Sequence, residues 1–193
     1  MEDHFSALKT IIENRRTTKP GQMNSQQIPD EQIRQLIELA DWAPNHGNTE
    51  PWRFFIYAGT EKVMGFCRQH ADLYSQEAGG NPDKFKYEKL LNMGSKASHL
   101  IIAVMQRGGL DKIPVLEEIA ATSAAIQNLL LGAEALNLAA YWGSGGLILK
   151  PAMKAFLGLR EEDVVLGALY LGYTDQKKSG SRQIPLAQKM HWM

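Results

Sequence analysis

The chain alternates segments of helical periodicity with short apolar runs. Apolar residues at helical spacing between Phe5 and Ile12 predict a helix over residues 3–14. Pro29 and the two acidic residues after it predict the start of a second helix, which Pro44 ends. Further helices are predicted over residues 61–77 and 83–94, from Pro114 to about Leu138, and over residues 151–157.

Four runs rich in aromatic, β-branched or other apolar residues predict strands. They are Trp52–Tyr57, His99–Met105, Ala139–Trp142 and Val164–Tyr173. The second run is mostly apolar, which is typical of a strand buried on both faces. Gly79-Gly80-Asn81-Pro82 is the clearest flexible break between elements. Together the elements predict a mixed sheet with helices packed on it.

The longest apolar-rich stretch runs from Ile113 to Tyr141 and contains the predicted long helix. It carries Glu117, Glu118 and Glu134, and charges inside a membrane span are costly. We therefore interpret it as a buried helix and expect no membrane association. Its apolar residues occupy more than one side of the helix. Such a helix needs burial either in a large core or against a second subunit, and the pattern alone leaves both open.

Composition and charge exclude several classes of protein. The 193 residues are 44% hydrophobic and 22% charged, as in ordinary globular proteins. With 21 acidic and 21 basic residues the formal net charge is zero, whereas nucleic-acid binders usually show a basic excess. The single cysteine, Cys67, excludes an internal disulfide or a zinc cage and is expected to be a packing residue. The acidic N-terminus does not resemble a signal peptide, so we expect a cytoplasmic location.

The first candidate functional segment is Asn14-Arg15-Arg16-Thr17-Thr18, where the first predicted helix ends. Two guanidinium groups offer forks of donors that match phosphate oxygens, and threonine adds a neutral donor. The same arginines could simply end the helix, because cations favour its negative C-terminal end. One guanidinium could instead pair with Asp41 or Glu13, since adjacent arginines rarely point the same way. The segment is therefore a candidate phosphate site in which either arginine could make the contact.

Three further segments follow this one in order. They are Ala43-Pro44-Asn45-His46-Gly47-Asn48-Thr49-Glu50-Pro51-Trp52-Arg53-Phe54, Tyr141-Trp142-Gly143-Ser144-Gly145-Gly146, and Val164-Val165-Leu166-Gly167-Ala168-Leu169-Tyr170-Leu171-Gly172-Tyr173. With the Arg-Arg-Thr segment they resemble the FMN-dependent nitroreductase family. Members typically open with a helix ending in Arg-Arg-Ser/Thr and enter the first strand through Ala-Pro-x-x-x-x-x-Gln-Pro-Trp-x-Phe. Glu50 stands where the family usually has Gln. The chain is similar to the small, minimal branch, which has His at the position of His46.

The resemblance implies one nitroreductase-like domain over residues 1–193. Its α+β fold would have a mixed, largely antiparallel central sheet flanked by helices. FMN would be bound non-covalently at the interface of a homodimer whose chains exchange terminal segments, which favours a dimer as the partner of the long helix. The implied reaction passes a hydride from NADH or NADPH through FMN to a nitroaromatic, quinone or similar electrophilic acceptor by a ping-pong mechanism. Flavin breakdown, reductive dehalogenation and a flavin-binding dimer without efficient turnover remain alternatives.

The resemblance also assigns cofactor-binding roles, each with a structural alternative. The assigned residues are Arg15, Arg16 and Thr17 for the phosphate and ribityl region, Trp42, His46 and Asn48 near the second segment, Trp142, Gly143, Ser144 and Gly145 in the turn, and Arg182 in the tail. The alternatives are a core aromatic at the helix end for Trp42, a solvated or hydrogen-bonded loop histidine for His46, a solvated side chain for Arg182, and a plain tight turn for the glycines. His46 would contact the flavin held mainly by the other chain. FMN itself carries the chemistry, so no side chain is assigned a catalytic step.

Other kinds of site find no support in the sequence. Gly143-x-Gly145-Gly146 is not a dinucleotide fingerprint, because Pro151 starts the next helix too late and no acidic residue lies at the ribose-binding spacing. The five histidines lack metal-ligand spacing, so no metal is expected. No Gly-x-Ser-x-Gly motif points to a hydrolase.

Overall fold

A computed structural model describes residues 3–176 and 178–193. Four strands form one sheet in the order β1-β2-β4-β3, and every neighbouring pair is antiparallel. The strands are β1 (Trp52–Ala58), β2 (His99–Met105), β3 (Ala139–Gly143) and β4 (Val164–Gly172). The predicted strands are confirmed to within one residue at each end. Strand β2 is buried along its whole length, as its apolar sequence indicated.

Six α-helices in the described part of the chain accompany this sheet. They are α1 (His4–Asn14), α2 (Asp30–Asp41), α3 (Thr60–Glu77), α4 (Lys84–Leu91), α5 (Val115–Ala135) and α6 (Pro151–Phe156). All six predicted helices are confirmed, and the α+β fold with a largely antiparallel sheet is confirmed with them. Helix α5 ends earlier than Leu138 because Asn137 adopts a positive φ of 57°, a conformation that ends helices and that Asn tolerates.

Each face of the sheet has its own core. Helices α2 and α5 cover one face, where Leu36 and Leu129 pack with Ile101 of β2. Helices α3 and α6 cover the other, where Phe66 and Met153 pack with the sheet. Helix α5 thus contacts all four strands, α1 and α2, so its many-sided apolar surface is largely covered within one chain. Among the residues described, none of the helices is both long and apolar enough to cross a membrane.

Two peripheral segments remain open to solvent. Helix α1 has no buried residue, and its apolar side chains Phe5 and Leu8 are exposed. In the C-terminal tail, Leu186 and Trp192 are exposed as well. Large apolar side chains grouped in this way are unusual on a surface that stays in water.

One short connection positions the candidate site. Thr17 pairs in parallel with Ala140 of the edge strand β3, and the backbone N–H of Thr18 donates to the Ala140 carbonyl at 2.8 Å. The segment after α1 therefore lies along the strand that leads into the glycine-rich turn. No other parallel pairing occurs in the part of the chain that the structure covers.

Candidate active site

The Arg15–Thr17 segment carries two arginines and reaches β3, where Thr17 pairs with Ala140. Arg15 ends α1, with its N–H donating to the Ile11 carbonyl at 3.0 Å, so it has the helix-ending role considered above. Arg16 donates from Nη1 to the Arg15 carbonyl at 2.9 Å, and its buried Nε has no hydrogen-bond partner among the described atoms. No ion pair between described residues includes either arginine.

The ion pairs considered for these arginines are wrong. Asp41 accepts a hydrogen bond from the Trp52 indole at 2.8 Å, and Glu13 lies 4.0 Å from Lys9. Both carboxylates are therefore engaged elsewhere. Among the described residues no carboxylate pairs with either guanidinium group, so both remain available to a bound anion.

The C-terminal tail adds a lysine to this place that the sequence did not indicate. Lys178 donates from Nζ to the Thr17 carbonyl at 2.8 Å and to Oε1 of Gln22 at 2.7 Å. Burial and the nearby Lys19 both lower the pKa of Lys178, as expected where cations are crowded. Gly180 packs directly on the Arg16 guanidinium, where a larger residue would collide.

Arg182, which lies further along the tail, is exposed. No hydrogen bond or ion pair in the described structure joins it to Arg15 or Arg16. The chain thus gathers Arg15, Arg16 and Lys178 at the β3 edge and leaves Arg182 in solvent.

The glycine-rich turn begins where β3 ends. Gly143 and Gly145 line a cavity of about 280 Å³. A side chain at Gly145 would meet no heavy atom within 4 Å, so a planar ligand can approach the backbone there. Gly146 has a φ of +66°, and a Cβ there would lie 2.6 Å from Nε2 of His70. The turn is therefore open at one glycine and tightly packed at the next.

His70 of α3 holds this turn from beneath. The backbone N–H of Leu147 donates to Nε2 of His70 at 2.9 Å. Burial lowers the pKa of His70 to about 4, which keeps the imidazole neutral with its proton on Nδ1. The sequence contained one signal of this burial, because His70 falls on the same helical face as Val63, Phe66 and Cys67.

Trp142 and Ser144 lie next to these glycines in the sequence but do not line the cavity. The Trp142 indole N–H donates to the Leu166 carbonyl of β4 at 2.9 Å. The ring lies across Gly167, whose missing side chain makes the room for it. Ser144 is exposed. The polar atom of the Trp142 side chain is thus already engaged by the sheet.

The loop around His46 lies apart from this edge. Nδ1 of His46 is 2.7 Å from Oε2 of Glu117 in the first turn of α5. Gly47, with φ +66°, approaches Ile113 so closely that a Cβ would lie 2.8 Å from its side chain. Asn48 is exposed and also has a positive φ. The loop and α5 border a groove of about 510 Å³ that no residue of the glycine-rich turn lines.

Trp42 also lies away from the β3 edge, at the end of α2. It is 86% exposed, so the alternative of a core aromatic is wrong. One chain thus brings Arg15, Arg16 and Thr17 to the strand that ends in Gly143. It leaves Trp42, His46 and Asn48 on other surfaces.

Ser98, His99 and Asp30 form a hydrogen-bonded row that resembles a hydrolase triad, but its serine is inaccessible to a substrate. Oγ of Ser98 lies 2.8 Å from Nδ1 of His99, and Nε2 of His99 lies 3.0 Å from Oδ1 of Asp30. Ser98 is fully buried, and its Oγ accepts from the Ile28 N–H at 2.7 Å. A nucleophile must reach its substrate, so we assign this group to anchoring α2 on β2. No group of three or more potential metal ligands occurs among the described residues.

Comparison with known proteins identifies the class. The Nitroreductase family matches residues 12–173, so the chain belongs to the nitroreductase family. A curated relative is “Putative NAD(P)H nitroreductase YdjA” of Escherichia coli (strain K12), 29% identical over 157 residues that cover 80% of this chain and 82% of that protein.

Solved structures share the fold. The nitroreductase-like family protein of Bacillus cereus superposes with a TM-score of 0.81 and 25% identity, covering 100% of this chain and 99% of that one. A nitroreductase with bound FMN from Bacteroides fragilis NCTC 9343 has a TM-score of 0.68 and 21% identity, covering 96% and 98%. These likenesses confirm the family and fold expected from the four sequence segments.

Proposed function

We propose that this chain is a flavoenzyme that holds FMN non-covalently and uses NADH or NADPH to reduce a nitroaromatic, quinone or similar electrophilic acceptor. The observation that carries the proposal is the pairing of Thr17 with Ala140. It puts the cationic segment and the glycine-rich turn, which are far apart in sequence, along one strand. Family membership and a fold shared with an FMN-bound nitroreductase support the same cofactor.

The residues present suit the two ends of FMN. Arg15, Arg16, Thr17 and Lys178 supply donors and positive charge, and no carboxylate in the described part of the chain pairs with these cations, which suits a phosphate. The backbone around Gly145 is open to a ring, and N–H groups of the turn would donate to its electron-rich edge.

When bound, FMN would take a hydride from the nicotinamide and deliver two electrons to the acceptor. One open site that serves donor and acceptor in turn gives ping-pong kinetics. We place the reaction in the cytoplasm, where NADH and NADPH are available.

We also propose that the active unit is a homodimer with FMN at the interface. The exposed apolar side chains of α1 and of the tail support a second copy as their cover. The His46 loop borders a groove separate from the glycine-rich turn of its own chain. In a dimer, His46, Asn48 and Trp42 would therefore contact the FMN held by the partner subunit.

The visible spectrum of the purified protein tests the class directly. We expect a yellow protein that releases FMN on denaturation and whose flavin is bleached rapidly by NADH or NADPH under anaerobic conditions. A nitroaromatic or quinone should then restore the colour. A protein that binds no FMN in a titration would overturn the proposal. Bound FMN that neither nucleotide reduces would overturn the enzymatic part and leave a flavin-binding protein.

A further inference from the structure

A buried ion pair joins the segment after β2 to the first turn of α5. Nη1 of Arg107 lies 2.5 Å from Oε2 of Glu118, whose side chain is only 1% exposed. The Glu118 carboxylate also accepts from the Gly108 N–H at 3.1 Å. A buried ion pair is by itself weak evidence for stability, because removing two charges from water offsets their attraction. The clear effect of this pair is geometric, since it ties the segment to α5 through more than one atom.

Arg107 is held at its backbone as well as at its side chain. Its N–H donates to Oδ1 of Asp163 at 2.9 Å, and its carbonyl accepts from Nη2 of Arg160 at 2.7 Å. Its own Nη2 donates to the Ile113 carbonyl at 2.6 Å. The planar guanidinium thus bonds α5 and the far end of the segment with two nitrogens in a fixed relation. Residues 107–113, which we call the β2–α5 loop, are therefore closed at both ends.

The β2–α5 loop packs against the His46 loop at Gly47. This glycine has a φ of +66°, and a Cβ there would lie 2.8 Å from Cδ1 of Ile113 and 3.2 Å from Cδ1 of Leu110. Ile113 is fully buried, and its carbonyl is the group that Arg107 holds. The position of the Ile113 side chain therefore sets how the backbone of the His46 loop can lie.

A second contact between the two loops occurs at Gly108. A Cβ on Gly108 would lie 2.6 Å from Oε1 of Glu118 and 3.1 Å from Cβ of Thr49. Gly108 is thus packed between the carboxylate of the ion pair and a side chain of the His46 loop. A shift of the carboxylate would be passed to Thr49 through this glycine.

The backbone of the His46 loop needs this support. Asn48 and Glu50 have positive φ values of 51° and 42°, which residues other than glycine rarely adopt. Such conformations persist where the surrounding structure holds them. Nδ1 of His46 lies 2.7 Å from Oε2 of Glu117, the residue before Glu118 in the first turn of α5. The same turn of α5 therefore holds the His46 side chain directly and its loop indirectly.

We propose that Arg107 and Glu118 are positioning residues for His46 and act on it through the β2–α5 loop. The inference rests on the proposed function, in which His46 and Asn48 contact the FMN held by the partner subunit. The ion pair sets where the His46 loop lies and takes no part in the chemistry. A change in the pair should therefore reach the cofactor only while the side chains of the His46 loop are present.

Two adjacent glycines of the β2–α5 loop, neither with a positive φ, provide a matched test. Gly108→Ala would push a methyl group toward Thr49 and the ion pair, whereas a methyl at Gly109 meets nothing within 4 Å. We expect Gly108→Ala to weaken FMN binding on the order of tenfold and Gly109→Ala to change it little. In protein that already carries His46→Ala and Asn48→Ala, Gly108→Ala should remove little further affinity, because residues that act through one another are not additive. Equal losses in the two backgrounds would overturn the proposal.

Arg107→Lys tests the ion pair itself and decides the matter if Gly108→Ala does not fold. Lysine keeps the charge beside Glu118 but has a single nitrogen, so it cannot reproduce the fork that also bonds the Ile113 carbonyl. FMN affinity should fall in this variant, and it should fall less when His46→Ala and Asn48→Ala are already present. The same loss in both backgrounds, or no loss in either, would overturn the role of the pair.

Hydrogen exchange of the FMN-free protein separates this inference from the function on which it rests. The Glu50 N–H donates to a side chain within the His46 loop, and the Leu147 N–H donates to a side chain beneath the glycine-rich turn. In Arg107→Lys the Glu50 N–H should exchange on the order of tenfold faster than in wild type, with Leu147 unchanged. Equal exchange of Glu50 in the two proteins would overturn the positioning role. If wild type binds no FMN, the proposed function fails, and the exchange of Glu50 still decides whether the ion pair holds the loop.

Discussion

The β3 edge and the His46 loop, which form the two halves of the proposed FMN site, are built in opposite ways. At the β3 edge, the end of α1, strand β3 and the C-terminal tail come together from distant parts of the sequence. The cations there lack acidic partners in the described chain. The His46 loop instead is a local structure, with Asn45 bonded to the Glu50 N–H at 3.1 Å and His46 bonded to Glu117.

From this difference we infer which half of the proposed site serves the FMN of its own chain and which half serves the FMN of the partner chain. The β3 edge offers unsatisfied charge and an open backbone, so it is prepared for a ligand. The His46 loop is held by its own hydrogen bonds and borders another groove, and our proposal is that it completes the site of a second copy. The predictions below separate these roles, from the largest expected effect to the smallest.

The substitution Gly146→Ala should destabilise the turn at the β3 edge more than any other change considered below. The added methyl would meet the His70 ring at 2.6 Å in a backbone conformation with φ +66°. Backbone strain and overpacking each cost roughly 1–3 kcal/mol, so unfolding should become easier by about 4 kcal/mol. Gly145→Ala is the control, because a methyl there meets nothing within 4 Å. Equal midpoints for the two variants in urea would contradict the packing of the turn on His70.

Acid should weaken the same turn through His70. Its pKa is about 4 in the folded chain and 6.5 when unfolded, a difference worth about 3 kcal/mol. Because the unfolded state binds the proton more tightly, stability should fall as the pH drops from about 6.5 and level off below about 4. In His70→Gln the side-chain carbonyl can still accept from the Leu147 N–H, and this variant should not show the loss of stability that protonation of His70 causes. Identical pH profiles of unfolding for the two proteins would show that His70 is not held neutral.

Substitution of Arg15 should weaken FMN binding rather than the stability of the fold. Arg15→Ala should reduce FMN affinity by roughly 1.5–3 kcal/mol, the range for hydrogen bonds to charged groups. Lys9→Ala removes the same charge from the exposed part of α1 and should change FMN affinity little. Titration of apoprotein with FMN measures both. Unchanged FMN affinity in Arg15→Ala would contradict the assignment of Arg15 to the phosphate and would indicate Arg16 or Lys178 instead.

The contact between His46 and Glu117 should matter least for stability. The two side chains are 60% and 47% exposed, and exposed ion pairs contribute roughly 0.2–1 kcal/mol. Glu117→Gln should therefore lower the free energy of unfolding by less than 1 kcal/mol. If the contact orients His46 toward the partner's FMN, the variant should lose more in FMN affinity than in stability. Equal small losses in both would mean that the contact only secures the loop.

Much of the fold could be predicted from periodicity because each element carries a clear local pattern. Strand β2 is apolar apart from His99 and proved to be a central strand that is buried along its whole length. The pattern was less informative for α5, whose apolar sides pack largely within the chain, against α2 and the sheet. The exposed apolar side of α1 gives a stronger reason for a second subunit, and it was visible in the sequence only as an ordinary amphipathic helix.

Residues of the candidate site could be proposed from the sequence where a motif names them and not where tertiary contacts bring them together. Arg15, Arg16, Thr17 and the glycines were found from their order in the sequence. Lys178 lies in a polar tail without periodicity, and only the folded chain brings it to Thr17. The role of His70 depends on a backbone N–H that lies 77 positions further along the chain, a contact that no local pattern encodes.

Mixed dimers test the central claim, that one FMN site takes residues from two chains. Arg15→Ala protein, which keeps its His46 loop, is unfolded and refolded together with protein carrying His46→Ala and Asn48→Ala, which keeps Arg15. FMN binding is then titrated. If the site crosses the interface, each mixed dimer contains one site with Arg15 from one chain and an intact loop from its partner. The mixture should therefore bind FMN at wild-type affinity in part of its sites, although neither parent does. A mixture that binds only as the average of its parents would contradict the claim.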